Sequence, residues 1–176
     1  SSIDNKLMKF MLKAGELKGI TSALPEAIGT DSIIQIMVSE AIKTSEIEGE
    51  TINRSDAMSS IRKNLGLPIS KEPKDKNAIG LSHLLIDVRN SYKQELTESK
   101  ILEWHKLLMG NNKRINAGSW RKGTAPMQVI SGSASDPKIH FVAPPSKMVP
   151  KEMKRFIEWY NKSEISSPII KAAIAH

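Results

Sequence analysis

Thr44-Ser45-Glu46-Ile47-Glu48-Gly49-Glu50 closes an apolar run with helical spacing, and its reading decides the fold. Upstream of it, Ile33, Ile34, Met37, Val38, Ala41, Ile42 and Ser45 recur at the intervals that put side chains on one face of a helix. Asp31 or Ser32 is the expected N-cap, and Gly49 is the natural C-terminal stop. Thr44 and Glu48 are four residues apart and share a helix face. Gly49 frees the backbone to leave the helix, so Glu48 is expected to project from its end. Taken alone, Glu48 reads as a solvated carboxylate at a helix end.

The flanking sequence is also helical. Leu7, Met8, Met11 and Leu12 form one face of a helix from Ile3 to about Leu17, which Gly15 and Gly19 weaken or end. Leu24-Pro25-Glu26 starts a short turn or helix closed by Gly29. Asn53 or Ser55 caps a helix through Met58, Ile61 and Leu65, stopped by Gly66-Leu67-Pro68. Residues 68–76 are a polar connector and the expected subdomain boundary. A long helix follows with Ile79, Leu81, Leu84, Leu85, Val88 and Tyr92 inward, then a helix capped by Thr97 and ended by Gly110.

The character changes after Gly118. Met127-Gln128-Val129-Ile130 and Lys138-Ile139-His140-Phe141-Val142 are β-prone runs around a turn spanning 131–136, which predicts a hairpin among helices. An isolated hairpin is marginal, so it must lean on the helices or hold something. Pro150 and Pro168 each open a further helix. The expected fold is all-α with one β-hairpin.

Composition narrows the function. The chain has no cysteine, which excludes disulfides and thiolate metal sites. The N-terminus lacks a signal pattern and no apolar run reaches the roughly 20 residues needed to span a bilayer, so a soluble, cytoplasmic protein is expected. Net charge is +7, but the basic residues are scattered, which favours an ordinary basic surface over a nucleic-acid footprint. Among the histidines, His83 and His105 read as structural, His140 as a candidate substrate contact on the hairpin, and none has a partner at metal-ligand spacing. Trp120 reads as core. Arg121 reads as a partner for a carboxylate or for the hairpin base.

Four segments in order resemble the Fic family, enzymes that transfer AMP from ATP to protein hydroxyls. Thr44-x-x-x-Glu48-Gly49 resembles its inhibitory-helix motif, Ser/Thr-x-x-x-Glu-Gly/Asn. The stretch from Ile33 through Leu67 resembles the helical domain that often precedes a Fic core. Gly118-x-Trp120-Arg121, the hairpin and Pro144-Pro145 resemble the segment carrying the target-docking flap. Pro168-Ile169-Ile170-x-Ala172-Ala173-x-Ala175-His176 resembles the helix leading into the catalytic loop. The loop motif itself, His-Pro-Phe-x-Asp/Glu-Gly-Asn-Gly-Arg, is absent, and the expectation is that it follows His176.

The resemblance implies residues 1–70 as an N-terminal helical domain with the inhibitory helix, and 71–176 as the front part of a Fic core with the flap. It implies an inhibitory set of Thr44, Glu48 and Gly49, in which Glu48 pairs with an arginine of the catalytic motif. That arginine otherwise holds the ATP γ-phosphate. It implies a flap of Gln128, Val129, Ile130, Ile139, His140, Phe141 and Val142 that docks a protein substrate through backbone hydrogen bonds. No catalytic residue and no metal ligand is expected within these residues. ATP and Mg²⁺ are expected for the complete protein, with their ligands elsewhere, so the chain alone is expected to be inactive. A homodimer is a possible arrangement, while membrane and nucleic acid are not expected partners. Two alternatives are a stand-alone inhibitor acting on a separate Fic protein, and a basic helical nucleic-acid binder. The flap-like segments argue against the first. The second has only Arg54, Arg62 and Lys63 to offer on residues 53–65.

Overall fold

A computed structural model describes residues 2–133 and 136–176. It is mostly helical, with one two-stranded antiparallel hairpin among the described residues. In chain order the elements are α1 (Ser2–Ala23), α2 (Glu26–Ile47), α3 (Arg54–Asn64), α4 (Lys76–Ser91), α5 (Glu98–Met109), β1 (Gln128–Ser133), β2 (Asp136–Val142), a 3₁₀ turn (Ser146–Met148), α6 (Val149–Lys162) and α7 (Pro168–Ala175). Two compact units result. One is the chain through Lys93 with Ile165–His176, and the other is Gln94–Glu164.

The first unit is built on α2, α3 and α4. Ile34, Met37 and Val38 of α2 meet Ile61 of α3 in a buried cluster, with Leu85 and Ile86 of α4 packed against it. Fully buried Ala41, Ala57 and Ala78 let the helices approach closely. Ser82 is also fully buried and donates to Ala78 O at 2.6 Å, so its hydroxyl is not orphaned.

A polar network starts α3 and α4 from one point. Asn53 Oδ1 accepts from Asp56 N at 3.0 Å as the α3 cap. Asp75 caps α4 by accepting from Asn77 N and Ala78 N, and its other oxygen accepts from Asn53 N at 2.9 Å. Asp56 Oδ2 accepts from Lys74 N at 3.0 Å and Asp75 N at 2.7 Å. The connector over 68–76, where the sequence places a subdomain boundary, therefore lies inside the first unit, because this network and the α3–α4 packing bind its two sides together.

The backbone N–H groups of Asp75 and Lys74 hold the Asp56 carboxyl below its ordinary value near 3.8. A depressed folded pKa means stability that is present above the unfolded value and lost as pH falls through the folded one. Thermal stability is thus expected to drop on acidification below about pH 4, and Asp56→Asn should flatten that part of the profile while lowering Tm at neutral pH by several degrees. Melting curves from neutral to acidic pH check both. A wild-type slope unchanged in the variant would contradict the assignment.

Several expectations need correction. α1 runs through Gly15 and Gly19, and α2 begins at Glu26 with no break at Gly29. Gly29 is buried within α2, and a Cβ there would meet Thr21 O at an ordinary 3.6 Å, so Gly29 neither ends the helix nor is required for packing. Ser32 donates back to Ile28 O, and Asp31 pairs with Arg62 at 2.9 Å, so neither acts as an N-cap. Tyr92 is 71 % exposed rather than inward. From the shared cap network α3 and α4 run the same way, and α3 has 11 residues against 16 for α4, so the end of α4 overhangs. No residue of α1 is buried, although its apolar spacing predicts a core face.

The second unit holds α5, the hairpin and α6. Thr97 caps α5 by accepting from Lys100 N at 3.2 Å. Asn161 of α6 clamps the main chain of Leu96, accepting from its N–H at 3.0 Å and donating to its carbonyl at 2.9 Å. Phe156, Trp159 and Tyr160 pack as tilted and edge-on rings on α6.

Candidate functional site

Glu48 is the C-cap of α2. The helix ends in a Schellman turn, with Gly49 N donating to Glu46 O at 3.1 Å and Glu50 N to Ser45 O at 2.8 Å. Gly49 adopts φ +77°, the left-handed conformation that the turn requires and that side chains resist. One turn back, Ser45 is buried, and Ala41 and Val38 are fully so. The helix end is thereby mounted on the core while Glu48 faces solvent.

The electrostatics of this end are unfavourable to its own residues. A helix C-terminus carries partial negative charge, yet Glu46, Glu48 and Glu50 cluster there with no basic residue in the last turn. Lys43 pairs with Glu46 at 2.7 Å. Glu48 has no ion pair or side-chain hydrogen bond among the described residues. Thr44 shares its face, with a long 3.4 Å contact from its hydroxyl to Glu40. The structure thus brings Thr44, Glu48 and Gly49 to one helix end, where the field attracts a cation.

The hairpin residues gather on β1 and β2. Gln128 pairs with Val142, Val129 with Phe141 and Ile130 with Ile139. His140 is left over as a bulge, and its Nε2 lies 2.6 Å from Ser131 Oγ. Every described position of both strands is exposed, including Val129, Ile130, Ile139 and Phe141. The strands extend further into the turn than the sequence predicts, and Ala134 and Ser135 of that turn lie outside the described residues. Gly132 at φ +94° lets the strands approach, since a Cβ there would sit 2.6 Å from Asp136 O.

The base of the hairpin is tied down. Ala143 N donates to Met127 O at 2.8 Å, and Arg121 donates to Pro144 O. Arg121 thus bonds the hairpin base, not a carboxylate. Trp120 is half-buried and donates from Nε1 to Glu98 Oε1 at 2.7 Å. His105 accepts from Gly118 N at 3.1 Å through Nδ1, a structural bond. The bulge and the Ser131–His140 bond escape sequence reading because residue type does not announce a register shift.

Among the described residues no group of three or more His, Asp or Glu could hold a metal ion. No helix among them is long and apolar enough to cross a membrane.

Residues 1–67 match a domain of unknown function (DUF4172), and residues 95–176 match the Fic/DOC family. The fold resembles the crystal structure of a Fic family protein from Desulfovibrio desulfuricans G20, with a TM-score of 0.55 and 21 % identity over 97 % of this chain and 49 % of that one. The chain therefore spans about half the length of that protein. The chain is thus similar to the Fic/DOC family over residues 95–176, after a DUF4172-like stretch over residues 1–67.

Proposed function

We propose that this chain is the regulatory and target-docking part of a protein adenylyltransferase, with Glu48 as its internal restraint. The Fic/DOC family generally transfers nucleotide-derived groups onto proteins. The observation that carries the finer reading is Glu48 itself: a carboxylate without a partner among the described residues, rigidly mounted and kept where the helix field disfavours it. Residues that break a local rule without a local compensation are often retained for function.

A guanidinium is the complementary group, because a bidentate Arg–carboxylate bond is strong and directional. An arginine so engaged is withdrawn from nucleotide phosphate, and transfer then fails for want of positioning. ATP and Mg²⁺ belong to this reading. Incubating the full-length protein with labelled ATP tests it: Glu48→Gly should increase incorporated label, and equal labelling would refute the restraint.

The hairpin fits the docking role because its backbone edges and apolar side chains are open. A mobile segment of a target protein can add to such an edge through main-chain hydrogen bonds, which imposes little sequence requirement. Val129→Ser with Phe141→Ser alters a directly paired, exposed couple. Stability should stay within about 0.5 kcal/mol. Modification of the target should fall about tenfold, the scale of losing a contact worth over 1 kcal/mol. Undiminished modification would remove the docking assignment.

A further inference from the structure

We propose that the cleft at the base of the hairpin takes acidic side chains of the target protein's docking segment. The cleft has a volume of about 490 Å³, within the range of ligand-binding pockets. Leu102, Trp120 and Pro150 give it an apolar wall. Arg121, Lys122 and Lys147 are its charged members, and no acidic residue lines it. Glu98, which accepts from Trp120 Nε1, is outside the lining. Lys122 and Lys147 are exposed and have no ion pair or side-chain hydrogen bond among the described residues. The bond from Arg121 to Pro144 O occupies one side of a guanidinium that has further donors to offer. Pro150 stands in the first turn of α6, whose N-terminus adds positive field.

A cleft lined by charges of one sign concentrates its field and draws a ligand of the other sign. Cations beside an apolar wall suit a carboxylate next to an aliphatic side chain, since the first meets the lysines while the second covers Leu102 and Pro150. The walls are tied together before anything binds: Arg121 donates to Pro144 O, and Ser146 donates to Gly123 O. Pre-ordered walls lower the cost of binding. The chain enters the hairpin from Gly123 and leaves it towards Ser146, so the cleft continues the hairpin's open edges. The inference rests on the docking reading of the hairpin and adds a chemical preference to it. Main-chain bonds along the strands accept any sequence, whereas the cleft asks for acid.

Binding to the ¹⁵N-labelled full-length protein without nucleotide tests this. The reporter is the indole N–H of Trp120, assigned by its loss in Trp120→Phe. The probe is the blocked peptide Gly-Glu-Leu-Glu-Gly, and its neutral twin carries glutamine in place of both glutamates. The acidic peptide should shift the Trp120 signal to saturation, and the neutral one should bind about tenfold more weakly. Lys122→Glu combined with Lys147→Glu, both at exposed positions, should weaken the acidic peptide at least tenfold with an unchanged circular dichroism spectrum. No shift with the acidic peptide would overturn the proposal. So would equal binding of the two peptides, or indifference to the lysine changes. Inorganic phosphate that shifted Trp120 at lower concentration than the peptide would make the cleft a phosphate site and overturn it equally. Because binding is read at Trp120 and without nucleotide, failure here is distinct from failure of the hairpin's own test, which reads target modification.

Discussion

Glu48→Gly in the full-length protein is expected to raise nucleotide transfer about ten- to a hundredfold, the factor corresponding to a charged hydrogen-bonded contact of about 1.5–3 kcal/mol. The fold should tolerate the change. Glu48 sits at φ −82° and ψ 4°, which any residue adopts, and the turn depends on Gly49 and on main-chain bonds rather than on the Glu48 side chain. Removing a carboxylate from the negative end of α2 relieves a repulsion of about 0.3–1 kcal/mol. Glu48→Gln should accordingly hold or raise Tm while it raises transfer. A gain in activity with no loss of stability separates a restraint from a structural residue. A variant that lost stability and gained no activity would place Glu48 in the fold alone.

Ile61→Ala carries the largest expected effect on stability. Ile61 is fully buried and lies against Ile34, Met37 and Val38. Truncating such a side chain typically costs about 2–5 kcal/mol, from lost burial and the cavity left behind. Whole domains have only about 5–15 kcal/mol in hand, so the unfolding midpoint of the first unit should drop sharply. Ile47→Ala provides the contrast, since Ile47 is 82 % exposed and next to Glu48. Its midpoint should move by less than about 0.5 kcal/mol. Urea titrations of both variants check the pair, and equal effects would contradict the packing described for α2 and α3.

Local signals in the sequence were reliable where a residue's own chemistry settles the backbone. Gly49 supplies the positive φ at the end of α2, Asn53 and Thr97 offer side-chain oxygens to the starts of α3 and α5, and prolines open α6 and α7. The hairpin follows from its β-prone runs, and the structure shows the expected helical fold around it. Prediction failed where packing outweighs propensity. Gly29 lies buried inside α2 rather than at its end, and Ser32 satisfies its hydroxyl within the helix rather than capping it. Tyr92 has the right spacing to face inward, but spacing does not reveal where the neighbouring helix ends. The Asp56–Asp75 network joins residues 19 apart and has no local pattern to betray it. In the candidate site, the projection of Glu48 from a helix end was legible from Thr44, Glu48 and Gly49. The inhibitory role proposed for it came from the resemblance of Thr44-x-x-x-Glu48-Gly49 to a family motif, because a lone carboxylate's chemistry does not name its partner.

The most direct test of the restraint is the intact mass of the full-length protein after incubation with ATP and Mg²⁺, for wild type and Glu48→Gly side by side. The account predicts a mass increment of one or more AMP groups in Glu48→Gly and little or none in wild type. The same mass for both proteins, whether neither is modified or both are modified equally, would contradict it.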